Sequence, residues 1–104
     1  MNNKVDIVLK GQAYSGKLDM RCLANVQAEL RKQGQVLTMQ QIFNGIVEQD
    51  LNVVMEIAVQ AILRCHKQVK RTTVEDKMDF SEMDNVFNFI AQLAELAMPK
   101  AEGK

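Results

Sequence analysis

Tryptophan is absent from the 104 residues, proline and histidine occur once each, and there are two cysteines. Each scarcity closes off a class of function. Cys22 and Cys65 are far apart and form no C-x-x-C, and His66 has no second histidine to make an H-x-x-x-H pair. Cys65 and His66 are consecutive, so on a helix they point about 100° apart, and a Cys/His metal centre lacks its ligands. The thiols read as reduced, buried or bystander groups in a soluble, non-exported protein. The polar start Met-Asn-Asn-Lys carries no apolar leader core, and no apolar run is long enough to cross a bilayer. Neither sign of charge dominates, with 13 basic and 13 acidic residues, so no global field recruits nucleic acid or an anionic membrane.

What is present is apolar and helical. Hydrophobic residues make up 47% of the chain, which argues against wholesale disorder. The length fits one small domain with a single core and some incompletely covered apolar surface. Seven methionines and no tryptophan suggest a core or contact surface filled by flexible side chains.

The periodicity predicts an α+β, mostly α fold: a short N-terminal β-hairpin followed by four to five helices. Val5, Ile7 and Leu9 alternate with Asp6, Val8 and Lys10 as in a half-buried strand, with Val8 breaking the pattern. Gly11 turns the chain, and Ala13 to Lys17, with Tyr14, can return as a second strand. Asp19 is placed to cap a helix over 20–33, with Leu18 and Leu23 at staple spacing. Met20, Leu23, Val26, Gln27 and Leu30 lie along one side of it, and Gly34 is its stop.

Thr38-Met-Gln-Gln41 is a capping box, stapled by Leu37 and Ile42. It opens a short helix in which Met39, Ile42, Phe43, Ile46 and Val47 share a face, with Gly45 on the other side. Asp50 opens the longest helix, 51–69, centred on Leu51, Val54, Ala58, Ala61, Ile62 and Cys65. Val53, Met55, Ile57 and Val59 widen that stripe past half the circumference, so this helix is expected to be central. Glu56, Gln60, Arg64 and Lys67 are expected on its polar side, with Arg64, Lys67, Lys70 and Arg71 as a solvated basic end. Thr73 to Asp76 and Ser81 to Asp84 read as two further capping boxes. The second opens a last helix at 82–98, striped by Met83, Val86, Phe87, Ile90, Leu93, Ala94 and Ala97 and broadened by Phe89 and Leu96. Pro99 ends it. The expected domain spans 1–98, with 99–104 a disordered tail.

One short motif asks for a decision. Gly11, Gly16 and Lys17 satisfy three of the four fixed positions of G-x-x-x-x-G-K-[ST]. Leu18 replaces the magnesium-binding hydroxyl, and Asp19 puts a carboxylate where phosphates would sit. No later segment reads as a parallel strand. The glycines are better explained by a hairpin turn and a close backbone approach. No G-x-S-x-G, paired carboxylates in an apolar pocket or metal quartet appears. No catalytic residue is nominated, no cofactor is implied, and the chain reads as non-enzymatic.

A hairpin ending in "YSGKLD", the helix "LANVQAELRKQG", and then "LTMQQIFNGI", "LNVVMEIAVQAIL" and "SEMDNVFNFIAQLAELA" together resemble the tail assembly chaperones of long-tailed phages. Related tail-gene products of prophages and gene transfer agents share the pattern. The resemblance covers nearly the whole chain, and Glu29 falls near a glutamate that the family often carries before the glycine. It implies a chaperone that coats the tape-measure protein in the bacterial host cytoplasm while tail-tube subunits polymerise around it. It further implies rings or spirals of subunits, and a longer frameshifted form whose extension recruits tail-tube protein. The terminal Gly103-Lys104 is compatible with a slippery codon pair. Candidate contact residues for the partner or a second copy are Val86, Phe87, Phe89, Ile90, Leu93, Leu96 and Tyr14, and Met39, Met55, Met83 and Met98 could adapt to varied partners. The alternative that stays open is a small helical DNA-binding or regulatory protein, against which the neutral charge argues.

Overall fold

The computed structural model describes residues 3–97. Pro99, Met98, the expected 99–104 tail and the ends of the expected 1–98 domain lie outside those residues. Within them, a two-stranded antiparallel hairpin precedes five helices, so the chain is α+β and mostly α.

Strand β1 (Lys4–Leu9) pairs with β2 (Gln12–Lys17) in a register that sets Val5 opposite Gly16, Ile7 opposite Tyr14 and Leu9 opposite Gln12. Two residues, Lys10 (φ 52°) and Gly11 (φ 79°), make the connection. Left-handed backbone at both positions is the mirror-image turn whose twist suits a two-residue hairpin. Val5, Ile7, Leu9, Tyr14 and Leu18 face inward and are buried, while Val8 stands on the outer face.

Helix α1 (Met20–Lys32) begins where the Asp19 carboxylate accepts the Cys22 N–H at 2.8 Å. It ends where Gly34 (φ 91°) lets the Gly34 and Gln35 N–H groups reach the carbonyls of Arg31 and Leu30, closing the last turn. Helix α2 (Met39–Val47) opens with the full reciprocal capping box of Thr38 and Gln41. Helix α3 (Leu51–Cys65) starts at Asp50, whose carboxylate takes the Asn52 N–H at 3.0 Å. Helix α4 (Arg71–Lys77), a single 3-10 turn (Phe80–Glu82) and helix α5 (Met83–Ala97) complete the chain.

Helix α3 is the hub: it packs against β2, α1, α2, α4 and α5, and α5 also runs beneath β1. Its buried residues are Val53, Val54, Glu56, Ile57, Ala58, Val59, Ala61 and Ile62, which leaves almost no side of it free. The expected central helix is therefore present, but it stops at Cys65 instead of continuing to 69. His66 leaves helical geometry and its Nε2 accepts the Ser15 N–H at 2.9 Å, tying the end of α3 to the sheet.

Several side chains lie elsewhere than periodicity suggests. Glu56, expected on a polar side, is 3% exposed, because α4 folds back over that side of α3. Met20 (87% exposed), Met39 and Val47, expected on inward stripes, face out at positions that no neighbouring element covers. Gly45, expected on the outer side of α2, faces α3: a Cβ there would meet the Val53 side chain at 2.9 Å. Thr73 caps nothing, since α4 starts two residues earlier with no side-chain cap. Ser81 does not cap α5 either. Asp79 takes both the Ser81 N–H and its hydroxyl, so the 3-10 turn forms first.

The close approach expected at a glycine occurs at Gly16, where a Cβ would lie 2.3 Å from the Phe89 ring. Phe89 is 1% exposed and hemmed in by core, so the ring has little room to yield. Gly16→Ala is expected to lower stability by about 1–3 kcal/mol. The cost should shrink in a Phe89→Leu background, read from urea midpoints of the four-variant cycle; equal costs in both backgrounds would contradict the contact.

Candidate functional site

The site is built where the covering of α3 stops short. Its first turns present Leu51, Val54 and Met55; the chain leaving α4 contributes Met78, Asp79 and Phe80; α5 supplies Met83, Val86 and Phe87. Together they line an open groove of about 300 Å³. Among the described residues Asp79 is the only charged one in the lining, and Phe80 is 82% exposed on the rim. Three methionines and two phenylalanines give a wall that is apolar, polarizable and able to change shape.

The outer wall of the groove is the α4–α5 connection, and the segment running from the start of α4 to that connection is held at both ends by ion pairs. At one end Arg71 donates to both carboxylate oxygens of Glu56 (2.9 and 2.8 Å) and to Glu75 (3.0 and 2.6 Å). Gln60 adds a bond of 2.8 Å to Glu56. Donating to Glu56 raises the Arg71 pKa above its already high value. At the other end the hairpin turn reaches across. Lys10 Nζ lies 2.7 Å from Asp79 and donates to Ser81 Oγ at 3.0 Å, and the Lys10 N–H donates to Glu82 at 3.0 Å. The Lys10 and Ser81 hydrogen bonds hold the Asp79 carboxyl down at about 2, and the bond from the Lys10 N–H lowers that of Glu82. These outer pairs are exposed and individually weak; the Glu56 pair is the buried one.

A second depression, of about 430 Å³ and more polar, lies between the hairpin exit, α1, α2 and the end of α5, and includes Met20, Leu23, Met39, Phe43 and Leu96.

The seven contact candidates divide sharply. Tyr14, Val86, Phe89, Ile90 and Leu93 are buried in the chain's own core, Val86 also forming part of the groove floor. Phe87 lies in the groove wall and Leu96 in the second depression. A stripe on α5 was bound to attract attention, but most of it is consumed by β1, β2 and α3. The α5 pattern does not reach the lining residues supplied by α3 and the α4–α5 connection, among them Leu51, Met78 and Phe80. Leu51 belongs by periodicity to the centre of the α3 stripe, and Met78 and Phe80 stand in a connection with no periodicity. The signal pointing here is the methionine set, since Met55 and Met83 both face the groove.

The other motifs resolve into structural roles. Gly11 to Lys17 is a hairpin turn followed by an extended strand, with Gly16 paired to Val5 and the Lys17 ammonium 3.7 Å from Asp19, not a loop wrapped for a phosphate. Of the four cations at the end of α3, two are committed. Arg64 grips Asp19 in a two-pronged pair (3.0 and 2.7 Å) and Arg71 holds Glu56, leaving Lys67 and Lys70 exposed. Cys22 is buried, with its thiol pushed up to about 12 by desolvation. The His66 ring stands edge-on to Tyr14 with centroids 5.6 Å apart. Among the described residues no three His, Cys, Asp or Glu side chains are grouped to hold a metal ion.

Comparison with known proteins finds no matching family model, no matching curated protein and no matching solved structure.

Two outcomes follow from the ion pairs. Arg71→Ala strands a buried carboxylate and is expected to cost about 3–5 kcal/mol, whereas Glu56→Leu with Arg71→Met should recover most of that loss; urea denaturation of the two variants beside the wild type decides. The Arg64 hydrogen bond, aided by the Cys22 N–H, holds the Asp19 carboxyl well below the usual carboxylate range. The ionised form is thus favoured more in the folded chain than in the unfolded one. That contribution is complete above about pH 5 and fades as pH falls through the unfolded value near 4 toward the folded one. The gap in urea midpoint between wild type and Asp19→Asn should therefore narrow from pH 7 to pH 2, and a constant gap would refute the linkage.

Proposed function

We propose that this chain is a non-enzymatic tail assembly chaperone of a phage or prophage, working in the host cytoplasm. It holds apolar helical segments of the tape-measure protein in the groove between α3, the α4–α5 connection and α5. The observation that carries the reading is the groove itself: a methionine- and phenylalanine-lined trough left open on an otherwise well-covered hub helix. Such a wall suits a client that presents many different apolar side chains along a rod, because methionine adapts where a rigid core side chain would exclude. The resemblance in element order and in the "YSGKLD" exit supplies the client's identity. Copies of the chain assemble along the client, with the Met20, Met39 and Leu96 depression as the contact between neighbours, and a frameshifted longer form recruits the tail-tube protein.

Co-expression tests this directly. A tape-measure protein that is insoluble alone should stay in solution with the wild-type chain and elute with it as one particle, many protomers per client by light scattering. Phe80→Gln with Met83→Gln, two exposed side chains, should abolish that protection while leaving the circular dichroism spectrum unchanged. A tape-measure protein that precipitates equally with and without the wild-type chain would end the proposal.

A further inference from the structure

Resting on the reading of the groove as a docking site for helices, we infer that it selects amphipathic helices whose flanks carry lysine or arginine. The floor cannot discriminate charge, since its lining is apolar apart from Asp79. The rim can. Residues 75–84 carry carboxylates at Glu75, Asp76, Asp79, Glu82 and Asp84 against the single cation Lys77. Arg71 neutralises Glu75 and Lys10 neutralises Asp79. Asp76 and Asp84 are exposed and form no ion pair among the described residues, and Glu82 accepts only the Lys10 N–H and Asn85 Nδ2.

The opposite wall, at the start of α3, brings no charge to the trough: Glu48 and Asp50 precede Leu51 but line a separate depression beside α2. The remaining cations of this part of the chain, Lys67 and Lys70, follow the opposite end of α3. A chain with no net charge thus carries an excess of carboxylates along one wall of an apolar trough. Charges beside a low-dielectric floor act more strongly than charges in open water. A helix that buries leucine-like side chains and sets cations along the edge facing the α4–α5 connection satisfies both parts of the surface, and one flanked by carboxylates meets repulsion from that rim.

The experiment uses the full chain and two fluorescent peptides of about five helical turns, with the same leucine face and either lysine or glutamate flanks. By fluorescence anisotropy the lysine peptide should bind at least about tenfold more tightly, a preference that shrinks between about 0.05 and 0.5 M salt. Phe80→Gln with Met83→Gln should abolish binding, and Asp76→Lys with Asp84→Lys should erase or reverse the preference, each with unchanged circular dichroism. Equal affinity for both peptides, binding of neither, or binding untouched by the Phe80 and Met83 changes overturns the inference. So does a dimer that the lysine peptide cannot dissociate and that those two changes render monomeric, which assigns the groove to a second copy. Loss of charge preference with tape-measure protection retained removes this inference alone. Preference retained without protection removes the chaperone reading alone.

Discussion

Helix α3 has no solvent face over most of its length, and the rest of the chain is arranged around that constraint. Eight of its side chains are buried, including one carboxylate, so the helix cannot exist uncovered in water. The hairpin, α1, α2, α4 and α5 each take a sector of it. Where α4 takes its sector it must also deal with Glu56, and Arg71 does so with two hydrogen bonds while Gln60 supplies a third. Such a pair contributes less to net stability than an apolar match would, yet it admits only one docking of α4, because any other leaves a bare charge inside.

That choice of docking creates the groove. Once Arg71 is seated on Glu56, the chain leaving α4 passes beside Leu51 and Met55 through Met78, Asp79 and Phe80 and leaves the space between them open. The Lys10 side chain, carried on a left-handed turn residue, secures that passage from the sheet. The open trough is thus a consequence of how the core closes, not a separate addition to it. Its floor is continuous with the core at Val54 and Val86, so an occupant would extend the core outward with little rearrangement.

The same arrangement accounts for which side chains remain for contact. An α5 stripe of Val86, Phe89, Ile90 and Leu93 looks in isolation like an interaction face, and in the folded chain it is interior. Gly16 shows how complete the enclosure is, since Phe89 occupies the space that a Cβ would need. Exposed apolar groups instead collect where elements end: Leu51 and Met83 at helix starts, Phe80 in a turn, Leu96 near the end of α5. Ends are where one element's reach fails to match the next, and there a single small domain leaves apolar surface uncovered.

Signals carried by a few adjacent residues were legible directly. The Thr38 box, the Asp19 and Asp50 caps, the Gly34 stop, the turn at Gly11 and the strand alternation depend on hydrogen bonds and backbone angles within a few positions. So did the breadth of the α3 stripe, which implied a central helix. What needed the tertiary structure were contacts between residues distant along the chain. Glu56 reads as a solvent residue until Arg71, fifteen positions on, folds across it. Thr73 and Ser81 read as caps until α4 starts earlier and Asp79 claims Ser81. The groove combines positions 51 to 87, and no periodicity within one helix records which part of its apolar stripe its neighbours will fail to cover.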